Sequence, residues 1–199
     1  WKGFVGQKAS GLEKTISDWT LNLDADEVVT PELKDEIARA IAEAGPEIGA
    51  FSFPRCTWFL GRWIRHGDWY PDLSLRLFRR DCARWGGDKF VHEKVDCAGP
   101  VARLRGDLHH YSFPTLSAHV AKINPFADLF LQQHQARGTK FSAVAAILRP
   151  CWRFFRAYII KRGFLDGYPG FYIAHATAFA AFVRYSRLYE AENHRAPRL

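Results

Sequence analysis

The sequence has no methionine, no C-x-x-C pair, no internal repeat and no low-complexity tract. Its four cysteines, Cys56, Cys82, Cys97 and Cys151, lie far apart, and no histidine stands at zinc-finger spacing from them. A zinc finger is therefore not expected, and reduced thiols in a cytosolic protein are. Long apolar runs are also missing. The longest, Phe171 to Val183, contains His175 and falls short of the ~20 residues that cross a bilayer, so no transmembrane helix is expected. Acids are scarce in one region: none stands between Asp128 and Asp166, where Arg137, Lys140, Arg149, Arg153, Arg156, Lys161 and Arg162 fall. With 48% hydrophobic and 25% charged residues over 199 positions, the chain is ordered and long enough for one core or a core with an appendage.

What is present begins with Asp24-Ala25-Asp26-Glu27. Trp19 to Leu23 alternates apolar and polar residues like a strand, and Thr30-Pro31-Glu32 reads as a helix start with Thr30 as N-cap. The acids are thus expected on a strand-to-helix loop. Two carboxylates one residue apart there offer hard oxygen ligands to Mg²⁺ or Mn²⁺, which usually completes its shell with water and substrate phosphates. A solvated acidic loop is the competing reading.

Other segments are coarser. Leu33, Ile37 and Ile41 predict a helix over 31–44, closed by Gly45-Pro46. Leu73, Leu75 and Leu77 alternate with Ser74, Arg76 and Phe78, which predicts a strand with Arg76 facing away from the leucines. After Pro114 the pattern turns helical: Leu116 to Gln135, the basic segment, a Gly163 to Gly170 turn region, and Phe171 to Glu190. A boundary is placed near 115, with 1–115 one region and 116–199 a helical, basic one. On a helix Arg149, Arg153 and Arg156 share one side while Trp152, Phe155 and Ile159 line another, with Pro150 expected near the first turn. An interfacial membrane anchor, a nucleic-acid patch and an ordinary packed helix all fit that pattern.

Several motifs carry a resemblance. Trp1-Lys2-Gly3-Phe4, Gln7-Lys8, Trp19 and Leu23 to Glu27 look like the middle of a family 2 glycosyltransferase. Gly61 to Asp72, Leu75 to Arg80, Trp85-Gly86-Gly87, Val91-His92-Glu93 and Gly106-Asp107-Leu108 resemble its branch of lipopolysaccharide core β-1,4-glucosyltransferases. The match covers roughly residues 1 to 125 in consistent order; Ala9 departs from it, standing where relatives commonly carry Asn.

The resemblance implies an α/β fold of the GT-A type, with a mixed sheet followed by C-terminal helices. The first βαβ part would lie upstream, and the start on Trp1 agrees with an N-terminally truncated chain. It implies an inverting, metal-dependent transfer of a hexose, glucose above all, from a nucleotide sugar such as UDP-glucose to a lipid-linked saccharide. Asp24 and Asp26 would bind the Mg²⁺ or Mn²⁺, and Lys8, Arg76 and Arg79 the donor. Glu93 would be the catalytic base, with Asp96 and Asp107 next in line. Trp58, Arg62, His66, Trp69 and Tyr70 would form the acceptor platform, since sugar C–H faces pack on indoles while hydroxyls and phosphates need Arg or His. The alternative for Trp63 and Trp69 is a place in the core. The expected location is cytoplasmic, peripheral on the inner face of the cell membrane and against its anionic surface, with no nucleic acid bound. The runner-up from another class is a non-catalytic basic module that binds anionic membrane or nucleic acid through residues 137 to 162.

Overall fold

In the computed structural model, which describes residues 3–86 and 94–193, the chain enters each of two units twice. The first unit takes in Trp1–Thr57 and Pro71–Ser112, the second Trp58–Tyr70 and Phe113–Leu199. The second unit resumes at Phe113, and it also takes in the aromatic segment from Trp58, which the contiguous regions 1–115 and 116–199 do not anticipate.

The first unit opens on α1 (Gly3–Glu13) and β1 (Trp19–Leu21), and a tight turn through the acids leads to β2 (Glu27–Val29) and α2 (Pro31–Glu43). The turn was expected to run straight into the helix. Instead Val28 and Val29, both β-branched, extend a short strand that pairs antiparallel with residues 108–110. Helix α2 starts as its sequence dictates: Thr30 is extended and its Oγ1 accepts from Leu33 N at 3.2 Å, with Pro31 in the first turn. Leu33 is fully buried against Phe51, Phe53, Leu77 and Leu108, with Ile37 and Ile41 beside it. Burying one such leucine contributes roughly 1.5–3 kcal/mol.

The sheet follows: β3 (Ala50–Phe59), β4 (Arg62–Ile64), β5 (Asp72–Arg79), β6 (Ala83–Gly86), β7 (Lys94–Cys97), β8 (Val101–Arg103) and β9 (Leu108–His110). Its order in the first unit is β1-β5-β3-β9-β2. Strand β5 pairs antiparallel with β1 and β3, while β8 and β9 run parallel to β3 along successive stretches, so the sheet is mixed. Strands β6 and β7 make a separate antiparallel pair. Gly106 lets the approach to β9 pass over α2; a Cβ there would meet Leu33 Cα at 2.7 Å.

The pairing of β3 with β5 contains one irregularity. Phe51 pairs with Leu77 and Ser52 with Leu75, which leaves Arg76 as an extra residue on β5. A bulge re-aims the side chain it carries. Arg76 is buried while Leu73 is exposed, a departure from the simple alternation expected of 73–78.

In the second unit the end of β3 turns back into β4 through Leu60 and Gly61, both at positive φ, as a two-residue hairpin requires. Four helices follow: α3 (Leu116–Ala121), α4 (Ile123–Ala136), α5 (Ala143–Phe155) and α6 (Gly167–Asn193). The single helix expected over 116–135 is broken at Lys122 because Pro125 has no N–H and its ring clashes with the carbonyl four residues back, that of Ala121. Helix α5 starts at Ser142, whose Oγ accepts from Ala145 N at 3.3 Å, so Pro150 lies inside it and not in its first turn. A π-turn over Arg156–Ile160 ends the element. Phe59, Ile64 and Ile173 form the core, with Trp69, Phe113 and Tyr172 packed on it.

Candidate functional site

The acidic turn is held by its own backbone. Glu27 N donates to Asp24 O at 3.0 Å, and Asp24 N donates to Glu27 Oε2 at 3.0 Å. Tyr111 N donates to Asp26 O at 2.9 Å, which ties the turn to the end of β9. Around it lies a charge network within the first unit. The Glu27 side chain is fully buried between Arg55 Nη1 at 3.2 Å and Arg76 Nη2 at 2.5 Å. Arg76 also reaches Asp24, whose second oxygen accepts from Lys8 Nζ at 2.9 Å. Arg55 extends the network to Asp72 at 2.5 Å.

Three carboxylates, Asp24, Glu27 and Asp72, thus pair with three cations, Lys8, Arg55 and Arg76, and Asp26 stands beside them as a fourth acid. Among the described residues, Asp26 is the member with no lysine or arginine. Its side chain is 47% exposed and His110 Nε2 lies 3.4 Å away. Burial, and then the charge of Arg55, holds the His110 pKa below the ordinary imidazole value, so it is biased to the neutral form. For Asp24, burial pushes the pKa up, but the Lys8 hydrogen bond and the Arg76 charge prevail and hold the carboxyl below its ordinary value.

A divalent metal needs hard oxygen donors with room for water and phosphate. Asp26 offers these; Asp24, with both oxygens engaged, offers them only if Lys8 or Arg76 yields. The described residues contain no group of three or more His, Cys, Asp or Glu able to hold a metal by themselves. The donor set therefore fits an ion that takes most of its shell from substrate and water, not a closed protein site.

The structure gathers three of the expected donor residues, Lys8, Asp24 and Arg76, and sets Asp26 beside them. Arg79 does not join: its guanidinium lies 4.5 Å from the Trp19 ring centre and donates to Ile48 O and Gly45 O. Sequence reasoning missed Glu27 as the buried centre of the network, and Arg55, Asp72 and His110 around it. The one available signal was Glu27 itself, adjoining the Asp-x-Asp. Glu93 and His92 lie outside the described residues. Asp96 is exposed on β7, and Asp107 O accepts from Thr30 Oγ1 at 2.9 Å.

The expected acceptor residues lie in the second unit and divide. Asp166, fully buried, accepts from Arg65 N at 3.1 Å and from His66 N at 2.8 Å, contacts His66 Nδ1 at 3.0 Å, and has Arg62 Nη2 at 3.7 Å. Arg62 and His66 are therefore anchored to the turn before α6. Sequence reasoning missed Asp166, whose one signal is that it ends the acid-free stretch. Trp69 packs between Phe59, Phe113 and His119 as part of the core. Trp58 is exposed and meets Trp63 edge-on at 5.1 Å, while Tyr70 is half-buried.

Helix α5 leaves a long apolar stripe in solvent: Val144, Ile147, Leu148, Trp152, Phe155 and, in the π-turn, Ile159 are all exposed. Arg149 and Arg153 flank it, both exposed. Among the described residues no helix is long and apolar enough to cross a membrane.

The chain matches no protein-family model. It is 30% identical over 200 residues to an uncharacterized glycosyltransferase of Rickettsia typhi, across 96% of this chain and 68% of that protein. To an uncharacterized glycosyltransferase of Rickettsia felis it is 29% identical, across 96% of this chain and 71% of that protein. To the lipopolysaccharide core biosynthesis glycosyltransferase LpsC of Rhizobium meliloti it is 28% identical, across 96% of this chain and 70% of that protein.

Proposed function

The chain belongs to the glycosyltransferases, and we propose that it moves a hexose, glucose first among the candidates, from a nucleotide sugar to a lipopolysaccharide core or related lipid-linked saccharide. The likeness to LpsC supports the acceptor class. The observation that carries the site is Asp26: a half-exposed carboxylate, without a lysine or arginine partner among the described residues, at the tip of a turn fixed on both sides. In a GT-A arrangement this turn faces the donor diphosphate. Asp26, joined by Asp24, would hold Mg²⁺ or Mn²⁺. When bound, the metal supplies positive charge to the departing nucleotide.

The protein's own groups do the rest. Arg76 and Lys8 fix Asp24, and Glu27, buried between two arginines, fixes Arg76. Glu93, identified by the family resemblance, takes the proton from the acceptor hydroxyl as that oxygen attacks the anomeric carbon from the face opposite the diphosphate; one displacement inverts the centre. The exposed stripe of α5, edged by arginines, lies on the anionic inner face of the cell membrane, where a lipid-linked acceptor is presented.

The test is calorimetric titration of the protein with UDP-glucose, with and without Mn²⁺. Metal-dependent binding that Asp26→Asn weakens is expected. Binding indifferent to both metal and substitution would reject the site.

A further inference from the structure

The second unit contains a cavity of about 550 Å³ between α4, α5 and α6 whose polar lining is four arginines with His134 and Tyr185. Arg149, Arg153, Arg156 and Arg184 all border it, and no acid does. Arg156 is neutralised from outside, by Asp68 Oδ1 at 2.8 Å, an oxygen it shares with Lys161. The other three have no carboxylate within ion-pair distance among the described residues. Arg149 lies over the Tyr185 ring at 5.4 Å and Arg184 over the Phe130 ring at 6.0 Å, so aromatic faces hold the guanidiniums in place without spending their N–H groups on acids.

Arg184 shows the consequence. Its Nε is buried and has no hydrogen-bond partner. Burial, and then the like charge of Arg153, pushes its pKa below the ordinary guanidinium value, and no acid among the residues lining the cavity offsets them. A helix with a merely solvated face has no reason to do this. Arg149 and Arg153 are themselves exposed, but on an ordinary solvated face acids would be interspersed among the arginines.

We infer that this cavity binds a phosphate group, carried on a soluble ester or on a lipid headgroup, between Arg149, Arg153 and Arg184. A phosphate dianion matches the planar fork of arginine and offsets the like charges of Arg153 and Arg184. The volume exceeds what one phosphate needs, and Trp152, Tyr185 and Phe130 wall the remainder with rings suited to a sugar or glycerol body. The site lies apart from the acidic turn in sequence, and its occupancy does not depend on the transferase reading.

The experiment is calorimetric titration of the protein with inorganic phosphate and with glucose 1-phosphate, at ionic strength held constant with chloride. Saturable binding is expected, and Arg153→Gln and Arg184→Gln should each weaken it about tenfold, since a hydrogen bond to a charged group is worth roughly that factor. If Arg184→Gln fails to fold, Arg153→Lys decides, because it keeps the charge and loses the fork, and should still weaken binding. Vesicles of phosphatidic acid and of phosphatidylcholine identify the source. Tight phosphatidic acid binding that Arg153→Gln reduces and glucose 1-phosphate does not displace assigns a headgroup; displacement by glucose 1-phosphate assigns a soluble ester. No saturable binding of any phosphate probe, or equal affinity in protein and variants, overturns the inference.

Discussion

Arg76 links the side chains of the acidic turn. It spans Asp24 and the fully buried Glu27 from a bulge in β5. Removing one partner of a buried pair leaves a charge in a poor medium. Arg55 keeps part of Glu27's partnership, so Arg76→Leu should destabilise by roughly 3 kcal/mol, the low end for such breaks, measured by urea unfolding. A second residue-scale effect concerns pH. His110 and His119 both have pKa values held below the ordinary 6.5, each chiefly by burial. A depressed pKa adds stability above the unfolded value that is lost as pH falls through the folded one. Urea midpoints should therefore drop between pH 7.5 and pH 5, and His119→Phe, which suits its ring of Phe59, Trp69 and Phe113, should flatten the decline. An unchanged slope would show that His119 does not titrate there. The Asp-x-Asp was legible because the strand and helix signals on either side define a loop. Its supporting residues were not: Arg55, Asp72 and His110 reach the turn through strand pairings that no local pattern encodes.

At the scale of elements, local chemistry predicted starts better than interruptions. Thr30 caps α2 and its Oγ1 also donates to Asp107 O, so it links the helix to the start of β9. Thr30→Ala should cost about 1–2 kcal/mol, at the upper end for caps because two bonds go, and Thr30→Ser should recover most of it. An equal loss in both variants would assign the effect to the methyl group's packing. The basic helix was legible as amphipathic from its spacing, whereas its start at Ser142 was not, because Pro150 is the stronger signal and points to a later one. The break at Lys122 was readable in Pro125 in retrospect. The bulge at Arg76 was not, since an alternating strand looks the same until its partner's register is known.

For the whole molecule, chain order hides the division into units. Residues 58–70, β4 among them, group with helices that come some fifty residues later, and nothing in their composition marks the change of unit. The membrane reading belongs at this scale. Each basic residue near an anionic leaflet contributes about 1 kcal/mol and is screened by salt. Co-sedimentation should therefore favour phosphatidylglycerol vesicles over phosphatidylcholine and weaken as salt rises, and Trp152→Ser should reduce both. Equal binding to the two vesicle types would leave α5 as a packed helix with a solvated face, and stronger binding to RNA would favour the non-catalytic module.

The central claim is that this glycosyltransferase uses the Asp24–Asp26 turn for its donor and Glu93 for its acceptor, and one assay reaches both. Transfer of labelled hexose from UDP-glucose to a lipid-linked saccharide is measured with Mn²⁺ for the protein, Asp26→Asn and Glu93→Gln. Glu93→Gln should lower kcat by roughly 10²- to 10⁴-fold with donor binding little changed, while Asp26→Asn should lose donor binding and turnover together. Transfer that persists at the unmodified rate in Asp26→Asn contradicts the account.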